Sequence, residues 1–551
     1  MNRFNNKIKD LPRRLERDLA LRRVWAALTA LLLLGAAGCM GSGGDRSPAG
    51  TLRVLAGSEL ADLKPILDQA RKDTGVSVKL DHVGTLDGVQ QVIDGKADGR
   101  YDAIWFSSNR YLNLHPEAES KIRDSAETMA SPVILGLRAS VATRLGWDRT
   151  PPTWAEIAAA AGNGKFSYGM TSPAASNSGF SALVAVASAL AGGRSGLNVA
   201  GIERAAPRLK SFFAGQTLTA GSSGWLSDSY VRRVGQDGES PLDGLVNYES
   251  VLLALNASGR LPEPLTLIYP HDGVITADYP LTLLGSAPAG AKEGFRKLTD
   301  YLRRPEVQRR IMAQVYRRPV VPGVRPDATR FPGVPAELPF PDRLDVADAL
   351  IGAFYDRLRR PARTIYVLDV SGSMQGDRID GLRNALIGLT GADGSLAGRF
   401  QRFHNRESVT LIPFSSRPKT AESYAVPEVR PEAELGRIRS FARSLSSGGG
   451  TAIYDSLGQA LDLVKKEAAQ NEGRFTSIVL MTDGQNTSGT DFAAFRARYP
   501  GVLQGVPVFT ILFGEGRADE MNQLAQLTGG RTFDARSQSL TSVFRDIRGY
   551  Q

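Results

Sequence analysis

The sequence contains a single cysteine, Cys39, in 551 residues, so no disulfide can form within the chain. Histidine is almost as scarce. The four are His82, His115, His271 and His404, and none lies in an HExxH or other zinc-binding spacing. A G-x-S-x-G nucleophile elbow is absent as well, and the expectation is that the protein is not an enzyme. Aromatic residues make up 7% of the chain, and no basic helical stretch interleaves with them, which argues against nucleic acid as a partner. The formal charge of +10 does not restore that reading. Residues 1–38 hold 8 Lys/Arg against 3 Asp/Glu, leaving a net of only +5 for the rest. The apolar stretch Val24 to Leu34 is too short for a comfortable bilayer span. With 42% hydrophobic and 23% charged residues the chain is ordinary globular material, long enough for about three compact units.

Ahead of Cys39 the order is that of an export signal: a basic segment with Arg13, Arg14, Arg17, Arg22 and Arg23, the apolar stretch, then Ala36-Ala37-Gly38. Ala36-Ala37-Gly38-Cys39 resembles a bacterial lipobox, departing from it at Ala36, where Leu is more usual, and in its long basic region. The resemblance implies that residues 1–38 are a signal peptide, that Cys39 is acylated, and that the protein is lipid-anchored to the cell membrane on its extracytoplasmic face. Residues 39–50, with Gly41-Ser42-Gly43-Gly44 and Pro48, read as a flexible tether reaching about 30 Å.

From Thr51 the pattern alternates strand and helix. Leu52 to Leu55 reads as a strand, Leu60, Leu63, Leu67 and Ala70 as a helical face, Val76, Val78 and Leu80 as a second strand, and Tyr101 to Phe106 as a buried one. This predicts a parallel α/β layout, in which ligands collect beyond the carboxyl ends of the strands. Those ends are Gly57-Ser58, Gly84-Thr85 and Ser107-Ser108-Asn109, joined by the loop Ser172 to Gly179 that leads into a helix with Phe180, Leu183, Val184, Ala187 and Leu190 on one face. Unpaired N–H groups at that helix start would favour an anion or polar group, although Ser176 or Ser178 would equally serve as a simple cap. Leu55-Ala56-Gly57-Ser58, Gly84-Thr85, Tyr101 to Trp105, Thr171-Ser172-Pro173 with Ser176 to Gly179, and Tyr269-Pro270 to Asp278-Tyr279-Pro280 resemble, in that order, the extracellular solute-binding proteins of ABC importers. The resemblance covers residues 51–320. It implies two lobes hinged over a small solute or oxyanion, with Ser58, Thr85, Ser107, Ser176 and Ser178 as ligand-binding positions.

Prolines at 322, 326, 332, 335, 339 and 341 make residues 321–361 read as a stiff linker, ending in a short helix with Val346, Leu350, Phe354 and Leu358 on one stripe.

Residues 362–551 resume the alternation, with strands at Ile365 to Leu368, Val409 to Ile412, Ser477 to Met481 and Val508 to Leu512. Three helical faces accompany them: Ile379, Leu382, Leu386 and Leu389; Leu435, Ile438, Phe441 and Leu445; and Ile453, Leu457, Leu461 and Val464. A doubly wound, Rossmann-like sheet is expected, although the first strand–helix turn lacks G-x-G-x-x-G. That turn carries Asp369-x-Ser371-x-Ser373 instead. Later loops carry Thr451 after Gly448-Gly449-Gly450, and Asp483-Gly484. The set resembles the metal-ion-dependent adhesion site of the von Willebrand factor type A family, and Leu524 to Phe533 is similar to that family's last helix and strand. The resemblance implies a divalent cation held by Asp369, Ser371, Ser373, Thr451 and Asp483, with an open position for a carboxylate from a protein partner. Two carboxylates and three hydroxyls are a hard, oxygen-only donor set, which suits Mg²⁺ better than Mn²⁺ or Ca²⁺. The whole chain then reads as a membrane-anchored receptor combining solute capture with metal-dependent protein binding. Two alternatives remain: an adhesion or assembly protein without solute transport, and an importer receptor whose second domain is purely structural.

Overall fold

The computed structural model describes residues 50–192, 196–235, 242–333, 336–500, 506–514, 517–536 and 538–551. The expected signal peptide, the expected acylation site Cys39 and the tether up to residue 49 lie outside them.

In the first lobe β1 (Thr51–Gly57), β2 (Ser77–Val83) and β3 (Ala103–Trp105) run parallel in the order β2-β1-β3, and β4 (Ile122–Glu127) forms the far edge. The chain then crosses to a second sheet built from β5 (Ser131–Arg138), β6 (Tyr168–Thr171), β7 (Gln216–Ala220), β8 (Gly244–Tyr248), β9 (Leu265–Ile268) and β10 (Ile275–Ala277). It returns as β11 (Pro280–Leu284), antiparallel to both β3 and β4. Both sheets are therefore mixed, not wholly parallel as expected, because a strand that re-enters from the other lobe arrives against the local direction. The two-lobed, crossed-over architecture itself is as expected. Beside the crossing, Ala130 and Arg318 exchange backbone hydrogen bonds at 2.9 and 2.7 Å.

The proline-rich stretch is not a free spacer. Leu338 donates to the Val274 carbonyl at 2.8 Å, Val274 to that of Ala336 at 2.9 Å, and Ser188 Oγ to that of Pro339 at 2.9 Å, so the segment lies along the second lobe. The helix Leu344–Ala353 and the π-helical turn Phe354–Leu358 that follows bury Val346, Leu350, Phe354 and Leu358 in the same core as the lobes. Their apolar stripe is satisfied within the chain.

The third sheet has the order β14-β13-β12-β15-β16-β17, from β12 (Ala362–Asp369), β13 (Ser408–Phe414), β14 (Glu422–Ala425), β15 (Phe475–Thr482), β16 (Val508–Leu512) and β17 (Thr532–Asp534). All pairings are parallel except that of β14 with β13. Every residue of β12 is buried, since helices cover both faces. The pleat sends Tyr366 and Leu368 to the core shared with the helices Asp377–Ile387 and Glu432–Ser444, and Ile365 and Val367 to the one shared with Ile453–Lys466. The expected last helix and strand are Ala518–Thr528 and β17. Beyond them lies a further helix, Leu540–Arg548, that the sequence reading missed although Leu540, Val543, Phe544 and Ile547 recur at helical spacing.

Candidate metal centre and solute cleft

The three loops that carry the expected metal ligands meet at the carboxyl ends of β12 and β15. Asp369, at the end of β12, accepts Ser371 N–H on Oδ1 at 2.8 Å and Thr482 Oγ1 on Oδ2 at 2.7 Å. Ser371 Oγ lies 3.0 Å from Ser373 Oγ, which donates to Asp483 Oδ1 at 2.7 Å. Thr451 reaches the same patch through its loop: Gly448 N–H bonds to Val370 O and Gly372 N–H to Gly449 O, at 2.8 and 2.9 Å. Gly449 has φ +87°, which explains a glycine at this position. A Cβ placed on Gly484 would lie 3.8 Å from Ser373 Oγ and 3.9 Å from Thr451 Oγ1, so both hydroxyls face one spot. All five expected ligands are thus brought together. Thr482, which holds Asp369, and Arg378, whose Nη1 donates to Asp483 Oδ2 at 2.6 Å, were not anticipated.

The donor chemistry fits a dication. Asp369 and Asp483 are 0% and 2% exposed. Burial raises the Asp369 carboxyl above the usual carboxylate range, the Ser371 and Thr482 hydrogen bonds pull it down, and the charge of Asp483 pushes it up again. Ser373, by contrast, is exposed, while Ser371 and Thr451 are buried, so the carboxylates are approached past the Ser373 hydroxyl.

Of the expected solute residues, Ser58, Thr85, Ser107 and Ser176 line one cavity of about 440 Å³ between the lobes. Ser178 does not. It is fully buried and hydrogen-bonded to the hydroxyls of Thr171, Ser176 and Ser223, locking the start of the helix Asn177–Leu190 within the second lobe. Ser176 occupies the N-cap position, yet its side chain makes no capping bond. The lobes already touch: Thr85 N–H donates to Ala175 O at 3.4 Å and Tyr248 Oη to Ser107 Oγ at 2.8 Å.

Sequence reasoning did not anticipate what covers this cavity. Arg531, Asp534, Asp546 and Tyr550 of the last domain line it along with Glu59 and Asp87 of the first lobe. The cover reaches both lobes. On the first, Arg545 Nη2 stands 3.6 Å from Asp87 Oδ1, and Leu396 N–H donates to Gln90 Oε1 at 2.5 Å. On the second, the Tyr550 ring meets that of Trp225 edge-on at 4.9 Å, and a Cβ on Gly221 would come within 2.5 Å of Tyr550. Only the missing side chain at Gly221 allows this approach. These contacts pair residues several hundred positions apart, so no local pattern announces them.

Among the covering groups the Asp546 carboxyl is pushed up to about 7, by burial first and then by the charge of Asp87, against the opposing pull of Arg545 and Arg531. A raised acid favours the assembled state fully below its ordinary value of 3.8, and that support is lost as pH rises to about 7. Amide hydrogen exchange across residues 540–550, corrected for intrinsic rates, is expected to show more protection at pH 5 than at pH 8, by up to about 1 kcal/mol per pH unit. Asp546→Asn should flatten this dependence, whereas the opposite trend in the unmutated chain would contradict the assignment.

Among known proteins, residues 52–317 match the family model for bacterial extracellular solute-binding proteins, and residues 365–546 match that for the von Willebrand factor type A domain. The inter-alpha-trypsin inhibitor heavy chain H4 of Bos taurus is 33% identical over 132 residues, which is 23% of this chain and only 13% of that protein. The periplasmic binding protein AfuA from Actinobacillus pleuropneumoniae, solved with fructose-6-phosphate bound, superposes on 56% of this chain and 99% of its own, at 12% identity and a TM-score of 0.41. A von Willebrand factor type A structure from Catenulispora acidiphila covers 35% of this chain and 42% of its own, at 16% identity and a TM-score of 0.29. The chain thus carries two segments of different likeness, residues 52–317 similar to bacterial extracellular solute-binding proteins and residues 365–546 similar to the von Willebrand factor type A domain, each spanning less than half of it.

Proposed function

We propose that the protein is an extracytoplasmic receptor, anchored through an acylated Cys39, in which the two-lobed unit takes up a small solute and the type A domain binds a protein partner in a divalent-metal-dependent way. The observation that carries this reading is the hydrogen-bonded run of oxygen donors from Asp369 through Ser371 and Ser373 to Asp483, with Thr451 facing the same spot. These five residues would hold the cation, and Mg²⁺ fits the few carboxylates and several hydroxyls better than Mn²⁺ or Ca²⁺. When bound, the ion supplies a Lewis-acidic position for a partner's carboxylate. Arg378, at the rim and 39% exposed, adds fixed positive charge that favours an acidic partner surface.

The cleft argues for a narrower solute class than a small solute or oxyanion at large. The carboxyls of Glu59, Asp87, Asp534 and Asp546 outnumber Arg531 in its lining, and burial already raises Glu59, Asp87 and Asp546. An anion placed there would add repulsion, so an uncharged polyhydroxyl or cationic solute fits better. One observation favours the alternative of an adhesion or assembly protein without solute transport, namely that the type A domain covers the cleft. A thermal-shift series of neutral and cationic solutes discriminates: saturable stabilisation supports capture, and none across the series supports the alternative.

The partner role is tested by affinity capture from detergent-solubilised membranes. A captured protein should be released by EDTA and recovered with Mg²⁺, and capture that ignores the chelator would reject metal-dependent docking.

A further inference from the structure

A second and larger cavity, about 630 Å³, lies between the second lobe and the type A domain, apart from the metal centre and separated from the solute cleft by Tyr550, which lines both cavities. Its most unusual property is charge. Arg232 and Arg233 enter it from the lobe, and Arg360, Arg363 and Arg474 from the type A domain, while no Asp or Glu is among the described residues that line it. Five guanidiniums around one cavity repel one another unless something neutralises them.

Their partners within the protein do so only in part. Arg232 Nη2 donates to Ser229 Oγ at 2.7 Å, Arg360 Nε to Gly473 O at 2.9 Å, and Arg474 Nη1 to the Arg406 carbonyl, all uncharged acceptors. Arg233 Nη1 reaches Thr217 O at 3.4 Å and engages a further partner besides, so it is not counted among the guanidiniums without a counter-charge. The nearby carboxylates stand behind the lining: Glu467 pairs with Arg363 Nη2 at 2.7 Å, and Asp228, already paired with Arg260, acts on Arg232 from a distance. Arg363 is the sharpest case. Its side chain is 1% exposed, yet its Nε has no hydrogen-bond partner. Burial lowers the pKa values of Arg232, Arg360 and Arg363 from the ordinary arginine value; at Arg363 the charge and hydrogen bond of Glu467 pull it back up, with Arg474 opposing. Arg232, Arg360 and Arg474 thus have no carboxylate in hydrogen-bond contact among the described residues, and a guanidinium fork is shaped to give two parallel hydrogen bonds to a phosphate.

We propose that this cavity is a binding site for a compact phosphate-bearing polyanion, held by Arg232 and Arg233 on one side and Arg360, Arg363 and Arg474 on the other. The volume lies within the range of small-molecule sites, and the Trp225 ring, over which the Arg232 guanidinium lies at 5.8 Å, gives it one flat apolar wall. Because the arginines come from two parts of the chain, the bound anion also strengthens the contact between them.

Inorganic pyrophosphate is the probe, titrated into the full chain by calorimetry at constant ionic strength, with sodium chloride as the matched control. Saturable binding is expected for pyrophosphate and not for chloride. The double variant Arg232→Gln/Arg360→Gln removes one guanidinium from each side while leaving buried Arg363 untouched. It should bind about a hundredfold more weakly, about tenfold for each guanidinium–phosphate interaction removed, with an unchanged circular dichroism spectrum. Should the double variant misfold, Arg474→Lys, which keeps the charge but loses the fork, should weaken binding in a folded chain. Absence of saturable pyrophosphate binding, or equal affinity in the folded variants, would overturn the proposal.

Discussion

Replacing Asp369 with Asn is expected to lower Mg²⁺ affinity by more than about a hundredfold, to the point where calorimetry registers no binding heat. Asn keeps the shape of the side chain and can still accept the Ser371 N–H on its carbonyl oxygen. It removes, however, one of only two carboxylates in a donor set otherwise made of hydroxyls. Losing that charge weakens the attraction for a dication far more than losing a hydroxyl, which contributes a dipole. Ser373→Ala should accordingly cost less than Asp369→Asn, about tenfold. Equal affinities of Asp369→Asn and the unmutated chain for Mg²⁺ would reject the assignment, while equal losses in the two variants would reject the ranking of charge over hydroxyl. Asp483 is a poorer choice for this experiment, because Arg378 already takes its second oxygen and a loss there would mix metal binding with a broken ion pair.

The largest effect on stability is expected at Glu407. Its carboxylate is 1% exposed and lies between two arginines, each 3% exposed. Arg548 Nη2 donates to both of its oxygens, at 2.7 and 2.6 Å, and Arg359 Nη2 donates to Oε1. Glu407→Gln leaves two buried guanidiniums facing one another without a counter-charge, and uncompensated buried charge typically costs roughly 3–5 kcal/mol. The thermal transition of the full chain should fall by roughly 3–4 °C. The same triad gives an acid limit. Burial raises the Glu407 carboxyl, but the charges of Arg548 and then Arg359 outweigh it and hold the group below its ordinary value of 4.5. A depressed acid contributes stability above its unfolded value and loses it as pH falls through the folded one, so unfolding should become easier below about pH 4.5. A variant as stable as the parent at pH 7 would show that the triad contributes nothing net. The position matters beyond stability: Arg359 closes the π-helical turn after the proline-rich segment and Arg548 ends the C-terminal helix, so one carboxylate ties the cover of the cleft to the segment packed on the second lobe.

The candidate metal centre was legible in the sequence because most of its expected ligands lie within a few residues of a strand end, and strand ends can be read from short apolar runs. Asp369, Ser371 and Ser373 follow Ile365 to Leu368 in one turn, and Asp483 follows Ser477 to Met481. Thr451 follows a glycine run instead, and Gly449, at φ +87°, is where that run needs a glycine. Arg378 was not legible, since nothing local distinguishes a basic residue in the first turn of a helix from an ordinary exposed one. Within the cleft, Ser58, Thr85, Ser107 and Ser176 follow from the same strand-end logic, while Ser178, two positions after Ser176, turns into its own lobe. A side chain one helical step away from a cavity can point elsewhere entirely.

The order of strands and helices, and the oxygen-only character of the donor set expected to hold a metal, were determined by the sequence alone, because they depend on apolar periodicity and on residue types near strand ends. The proline-rich segment and the C-terminal helix illustrate what it left open. The composition of the first predicts a spacer and the helical spacing of the second says nothing of where it docks, yet the tertiary structure lays the first along the second lobe and sets the second across both lobes. Likewise, five arginines scattered between positions 232 and 474 become one cavity only when the lobe and the type A domain meet. The physical reason is common to all three: packing between distant surfaces depends on shape and charge matching across the whole fold, and neither is encoded in any short stretch of residues.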